Sequence, residues 1–131
     1  MKKKVVIFGE MLWDCLPSGP VPGGAPMNVT LNLHQLGLDS KLISAVGNDS
    51  DGEELIAFLK TFDLPVDLIQ VNEEHETSKV LVNDSDPENI KYTIVSPVAW
   101  DYVDWNEEND NAVSGAEAFV FGTLGVRNSH S

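Results

Sequence analysis

The sequence predicts an α/β fold built on a parallel sheet, and three observations predict it. Val5 to Phe8 is a short, unbroken, β-branched-rich apolar run, the mark of a strand buried on both faces. A helix-periodic segment opens soon after, at Met27. Strand and helix patterns then alternate through Val71, which is how a parallel layer is laid down.

The elements follow in order. After the first strand, Leu16 to Gly24 reads as a Pro/Gly-rich loop. From Met27 to Leu36, Val29, Leu33 and Leu36 fall at i, i+4 and i+7, which predicts a helix buried on that stripe. Gly37 stops it at the expected C-terminal position. Lys41 to Val46 is the next strand. Ser50 and Glu53 have capping-box spacing, and the helix they open carries Leu55, Phe58, Leu59 and Phe62 on one stripe. Val66 to Val71 is a third strand.

The middle of the chain differs. Lys79 to Val82 and Ile90 to Val95 are strand-like and are joined by a polar turn containing Asp84, Asp86, Pro87 and Asn89. This is a hairpin inserted into the α/β pattern. Asn106 to Asn111 is an acidic loop or helix start. Ala118 to Gly122 resumes a buried strand. No helix pattern covers that strand, so the residues read as the first half of a larger domain, since a parallel sheet needs cover on both faces.

Composition narrows the partners. At 131 residues, 42% hydrophobic and 22% charged, the chain suits one soluble domain with a core. A formal net charge of −13 repels nucleic acid and anionic membrane, which excludes both as expected partners. Gly9 and Glu10 end the first apolar run too early for a signal peptide or a membrane span, so the cytoplasm is expected. The single cysteine, Cys15, cannot form an internal disulfide and reads as a small buried residue. His34, His75 and His130 are scattered, without metal-ligand spacing.

The run Gly23-Gly24-Ala25-Pro26-Met27-Asn28-Val29-Thr30 carries the most functional information. A double-glycine turn directly before a helix lets a ligand come close to the backbone. The helix start then offers unpaired N–H groups to an oxygen-rich molecule. A small polar substrate is expected.

With Gly37 and Gly47 added, this run resembles the amino-terminal signature of the ribokinase-like (PfkB) carbohydrate kinases, most closely the fructokinases. That signature asks for two glycines, small residues, an asparagine and two further spaced glycines, and every position is filled. Gly9-Glu10-Met11-Leu12-Trp13-Asp14 is similar to the family's first strand and sugar-contact turn. Gly47-Asn48-Asp49-Ser50-Asp51-Gly52 is similar to its Gly-x-Asp-x-x-Gly element. Phe121-Gly122-Thr123-Leu124 resembles the strand end beneath the sugar.

The resemblance implies a ribokinase-like, Rossmann-type parallel sheet with helices on both faces and an inserted β-hairpin lid at residues 77–97. Residues 1–131 would be the sugar-binding part of one kinase domain. It implies Asp14, Gly23, Gly24 and Asn28 as sugar-binding residues. Asp14 would accept hydrogen bonds from sugar hydroxyls just past the first strand, and Asn28 would bond one hydroxyl. Asp49 and Gly52 read as structural, ordering the second helix. Glu10 either orients the Asp14 turn or faces the substrate. Tyr92 and Trp100 line the lid or its dimer face, or serve the core. Arg127 reads as a solvated terminal residue, ahead of one that approaches a sugar oxygen.

The implied reaction is transfer of the γ-phosphoryl of ATP to a sugar primary hydroxyl, with Mg2+ and a monovalent cation as cofactors. A homodimer would form through the lid. The family's Gly-Ala-Gly-Asp segment, which holds the catalytic base and adjoins the nucleotide site, does not occur here, so no catalytic residue is assigned and these residues alone are expected to be inactive. A kinase for a sugar acid or a nucleoside, and a non-catalytic sugar-binding module, remain alternatives.

Overall fold

The computed structural model describes residues 2–127. Its first sheet is parallel, with strands β1 (Lys4–Phe8), β4 (Asp39–Gly47), β5 (Ile69–Asn72) and β8 (Ala118–Phe121) in the order β5-β4-β1-β8. Three helices accompany it: α1 (Ala25–Gln35), α2 (Ser50–Lys60) and α3 (Glu107–Ser114). The sequence explains this layering. Along β1, Val5 and Ile7 point into a cluster with Met27 and Leu31 of α1 and Leu55 and Leu59 of α2. Val6 and Phe8 point the other way, toward Leu68 and the half-buried Ala112 and Val113 of α3. An unbroken apolar run is what a strand covered on both faces requires.

A second sheet stands beside the first. It joins β2 (Leu12–Leu16), β3 (Gly19–Gly23), β6 (Lys79–Asn83) and β7 (Lys91–Ile94) in the order β3-β2-β6-β7. The expected hairpin is there as β6 and β7, antiparallel, with Val80 opposite Ile94. The expected loop from Leu16 to Gly24 is instead mostly a strand. Gly19–Gly23 pairs antiparallel with β2, Asp14 opposite Val21 and Leu12 opposite Gly23. Prolines at 20 and 22 argued against a strand, but β3 is the edge of its sheet, where a missing N–H costs little.

Two helix details also differ from expectation. The buried face of α1 is Pro26, Met27, Thr30 and Leu31, not the Val29–Leu36 stripe, and Leu36 is 77% exposed. Thr30 hid that face, because its hydroxyl donates to the Pro26 carbonyl at 2.7 Å and so carries no unmet polarity into the core. The cap of α2 is Asp49 rather than Ser50, its side chain accepting from the Gly52 N–H at 2.8 Å. Leu55 and Leu59 are buried as expected, and Phe58 meets Phe62 edge to face.

The acidic segment at 106–111 starts α3, with Asn106 as its cap. Among the described residues no helix is long and apolar enough to cross a membrane.

Candidate sugar site

Among the described residues the parallel sheet has a switch point at β1. From β1 the chain runs through α1 to β4 on one side, whereas β8 lies on the other. Open α/β sheets bind ligands in the crevice at the carboxyl ends of the strands flanking such a point. Here that crevice is a cleft of about 390 Å³. Glu10, Leu12 and Asp14 line it from the chain leaving β1, Gly24 and Ala25 from the start of α1, and Gly122, Thr123 and Leu124 from the end of β8.

The second sheet holds Asp14 in place. Asp14 lies within β2, between Val21 of β3 and Val80 of β6, rather than in a turn just past the first strand. Its neighbour Trp13 anchors the strand: its backbone N–H donates to the Ser78 carbonyl at 3.0 Å, and its indole N–H to the Asp51 carbonyl at 3.0 Å. Strand alternation then turns Asp14 to the opposite face. No hydrogen bond from a described residue reaches the Asp14 carboxylate.

The double glycine is packed against the protein's own groups. A Cβ on Gly23 would collide with the Asp14 carboxylate. A Cβ on Gly24 would lie 2.6 Å from the Glu10 carbonyl oxygen, and its φ of +105° is one that other residues rarely adopt. The space that the missing side chains leave is thus filled by the protein's own groups. The turn is pressed against the end of β1, and this brings the helix start to the cleft. No side chain caps α1, so its first-turn N–H groups have no side-chain acceptor.

The four expected site residues therefore separate. Asp14 and Gly24 line the cleft. Gly23 lies against the Asp14 carboxylate. Asn28 is exposed one turn further along α1, its backbone N–H bonded to the Gly24 carbonyl at 3.0 Å.

Glu10, left between two roles by the sequence, lines the cleft and is 5% exposed. Burial pushes its carboxyl above the ordinary range, while its own backbone N–H and the charge of Arg127 act against that rise. The signal for it was a carboxylate set among apolar neighbours, Phe8, Met11 and Leu12.

The other singled-out residues have mostly structural partners. Asp49 accepts from the Gly52 N–H, the Thr77 N–H at 3.0 Å and the Thr77 hydroxyl at 2.6 Å. Burial alone would raise its carboxyl, but these bonds outweigh it and hold the group below its ordinary value. Arg127 is not solvated: it pairs with buried Asp101 and lies over the ring of buried Trp100, 4.2 Å from its centre.

Tyr92 stands exposed on β7. Cys15 is half-buried on β2. The ring of His34 meets the Phe62 carbonyl at 2.8 Å, and His75 stacks on Tyr102. His130 lies outside the described residues.

The site thus offers two carboxylates and a helix start to a small ligand. Ionised carboxylates only accept hydrogen bonds, and hydroxyls donate them. Residues 19–131 match the sequence profile of the pfkB family carbohydrate kinases. The chain belongs to that family.

Several proteins named as sugar kinases are similar to this chain. The chain is 34% identical over 100 residues to a fructokinase of Escherichia coli, covering 72% of this chain and 33% of that protein. It is also similar to an uncharacterized sugar kinase of Pyrococcus horikoshii solved in complex with ATP, with a TM-score of 0.83 and 30% identity over 96% of this chain and 45% of the other. Halothermothrix orenii fructokinase superposes with a TM-score of 0.80 at 25% identity, over 96% of this chain and 48% of that one. The chain spans about a third of the length of the first curated relatives it matches.

Proposed function

We propose that this chain supplies the sugar-binding part of an ATP-dependent sugar kinase, fructokinase-like, which phosphorylates a primary hydroxyl of its sugar. One observation carries the reading: Asp14, Glu10 and the uncapped start of α1 share a cleft at the switch point of a pfkB-family sheet. Asp14 accepts sugar hydroxyls, Gly24 brings the helix backbone to the sugar, Gly23 leaves room for the Asp14 carboxylate, and Asn28 meets a hydroxyl at the outer rim.

The second sheet acts as the lid, with 77–97 as its moving hairpin, excluding water from the transfer. Its Asp14 face carries Leu16, Val21, Tyr92 and Ile94, all exposed, and this is the surface through which two copies pair into a homodimer. The compartment is the cytoplasm.

ATP is the phosphoryl donor, and Mg2+ and a monovalent cation are its counter-ions. Among the described residues no three His, Cys, Asp or Glu side chains come together to hold a metal. The described residues do not by themselves fit Mg2+. The chain's own part is to orient the acceptor hydroxyl, the positioning on which phosphoryl transfer chiefly depends.

The test is an ADP-release assay of the full-length gene product with a panel of sugars. ATP- and Mg2+-dependent turnover with fructose is expected. An enzyme inert toward every sugar in the panel would end the kinase reading.

A further inference from the structure

We propose that Asp51 is a positioning residue for the sugar cleft: it docks the back of the second sheet onto the first turn of α2, and the cleft's hold on an uncharged sugar therefore weakens as ionic strength rises. The sugar measurements rest on the kinase reading, whereas the dock itself does not.

Asp14 lines the cleft from β2, and the reverse face of that strand carries Trp13 and Cys15. Lys79 stands opposite Trp13 in the parallel pairing of β2 with β6. Both side chains converge on one residue of another element. The Trp13 indole N–H donates to the Asp51 carbonyl at 3.0 Å, and the Lys79 ammonium lies 2.9 Å from the Asp51 carboxylate. Asp51 sits in the first turn of α2, whose cap, Asp49, accepts the Thr77 N–H and hydroxyl just before β6. The two central strands of the second sheet are thus held to one helix end, and Leu55 and Leu59 fix that helix in the core.

Trp13 and Asp14 are adjacent in the chain, so a tilt that lifts the indole from α2 displaces the carboxylate on the front. No hydrogen bond from a described residue holds that carboxylate, so the strand that carries it sets its place. A displacement of about 1 Å can cost a positioned reaction about 100-fold.

The dock has an apolar half and a charged half. Trp13 packs against the larger core cluster, a contact that carries no charge to screen. The Lys79–Asp51 pair lies at the surface, its side chains 43% and 36% exposed, beside a cleft of about 230 Å³. The bond to Asp51, and then its charge, raise the Lys79 ammonium above its ordinary value. The Debye length falls from about 10 Å at about 0.1 M salt to about 3 Å at about 1 M, so added salt screens such an exposed pair. An exposed pair of this kind shifts an equilibrium by up to about fivefold. An uncharged sugar brings no charge of its own to be screened, so a salt dependence of its binding reports on the protein.

The test measures KM for D-fructose at saturating ATP in the full-length protein from about 0.1 M to about 1 M sodium chloride. Wild type, Lys79→Met and Lys79→Arg are compared. Lys79 is substituted rather than Asp51 because a carboxylate in the first turn also stabilises α2. Wild-type KM should rise about two- to fivefold over that range, with kcat little changed. Lys79→Met should start from the raised value and lose the salt dependence. Lys79→Arg should restore both, and all three should melt alike. A wild-type KM independent of salt, or a Lys79→Met KM that rises as steeply as the wild type's, would overturn the proposal.

If Lys79→Met does not fold, Trp13→Phe carries the test, since it keeps a ring but loses the N–H. It should raise KM about two- to tenfold and leave the salt slope in place. An unchanged KM overturns the dock. If the full-length protein turns over no sugar, the kinase reading fails, and deuterium exchange decides the dock alone. Faster exchange of the β2 and β6 amides in Lys79→Met and in wild type at high salt, with β1 and α1 unchanged, supports it. Equal exchange under all these conditions overturns it.

Discussion

Arg127 grips both oxygens of the Asp101 carboxylate, Nε to Oδ1 at 2.7 Å and Nη2 to Oδ2 at 2.6 Å. Asp101 is 0% exposed, and the same Oδ2 accepts the Val98 N–H at 3.0 Å. The pair therefore joins the chain just beyond β8 to the short 3-10 turn Ala99–Tyr102 that follows the second sheet. Removing one partner of a buried pair takes away its charge-assisted bonds, and that costs about 3–5 kcal/mol. Arg127→Ala should lower the urea midpoint of the full-length protein accordingly. A double change of both residues to apolar side chains should cost less than Arg127→Ala alone. A single variant as stable as wild type would show that the pair does not hold these segments together.

Asp49 gives a pH dependence with a defined sign. Its folded-state carboxyl is held below the ordinary 3.8, because three hydrogen bonds outweigh the effect of burial. A depressed carboxyl stabilises the fold above its unfolded value, and that stability is lost as pH falls through the folded value. Asp49→Asn can still cap α2 through its one oxygen, but the amide NH2 in place of Oδ2 cannot accept the Thr77 N–H. It should cost about 1 kcal/mol at neutral pH. The gap between variant and wild type should close as pH drops below 3.8. Parallel stability curves down to that range would contradict the assigned bonds.

Much of this fold was legible because its local signals agree. The apolar run of β1, the stripe of α2 and the β6–β7 hairpin each read correctly from period and turn residues. What was not legible depended on partners distant in sequence. Gly19–Gly23 becomes a strand only because β2 lies beside it. Thr30 turns its polarity inward onto its own helix, so the buried face of α1 could not be read from apolar residues alone. Asp101 and Arg127 are 26 residues apart, and neither position announces the other. In the site, Asp14 and the double glycine were visible as a motif. That Gly23 and Gly24 face Asp14 and Glu10 required the second sheet.

Gly24 and Gly122 should respond in opposite ways to the same change. A Cβ at Gly24 meets the Glu10 carbonyl and forces a residue with φ +105° into strain. Gly24→Ala should therefore cost at least about 2 kcal/mol and lower the melting temperature. Nothing lies within 4 Å of a Cβ at Gly122, although Gly122 also lines the cleft. Gly122→Ala should melt like wild type. Equal melting of the two variants would mean that the turn is not pressed against β1.

Asp14→Ala should weaken use of the sugar without weakening the fold. The carboxylate accepts no hydrogen bond from the described residues, so its loss leaves no protein donor unmet. A charged acceptor for sugar hydroxyls is worth about 1.5–3 kcal/mol, which is roughly a 10- to 150-fold fall in kcat/KM of the full-length enzyme. KM for ATP should stay near the wild-type value. An unchanged kcat/KM for the sugar would remove Asp14 from the site.

The edge of the first sheet sets the behaviour of the 131-residue chain expressed by itself. Phe119, Val120 and Phe121 of β8 are all exposed, Phe121 at 60%, and among the described residues β8 pairs only with β1. A strand with an open backbone edge and apolar side chains on both faces is a template for pairing with another chain. The chain should therefore self-associate in the micromolar range, where exposed edges and apolar surfaces are known to aggregate. Phe121→Lys places a charge on that edge and should shift sedimentation toward the monomer, while β1 and its two clusters remain buried. If the unmodified chain sediments as a monomer that melts cooperatively, β8 is not the adhesive edge that its exposure implies.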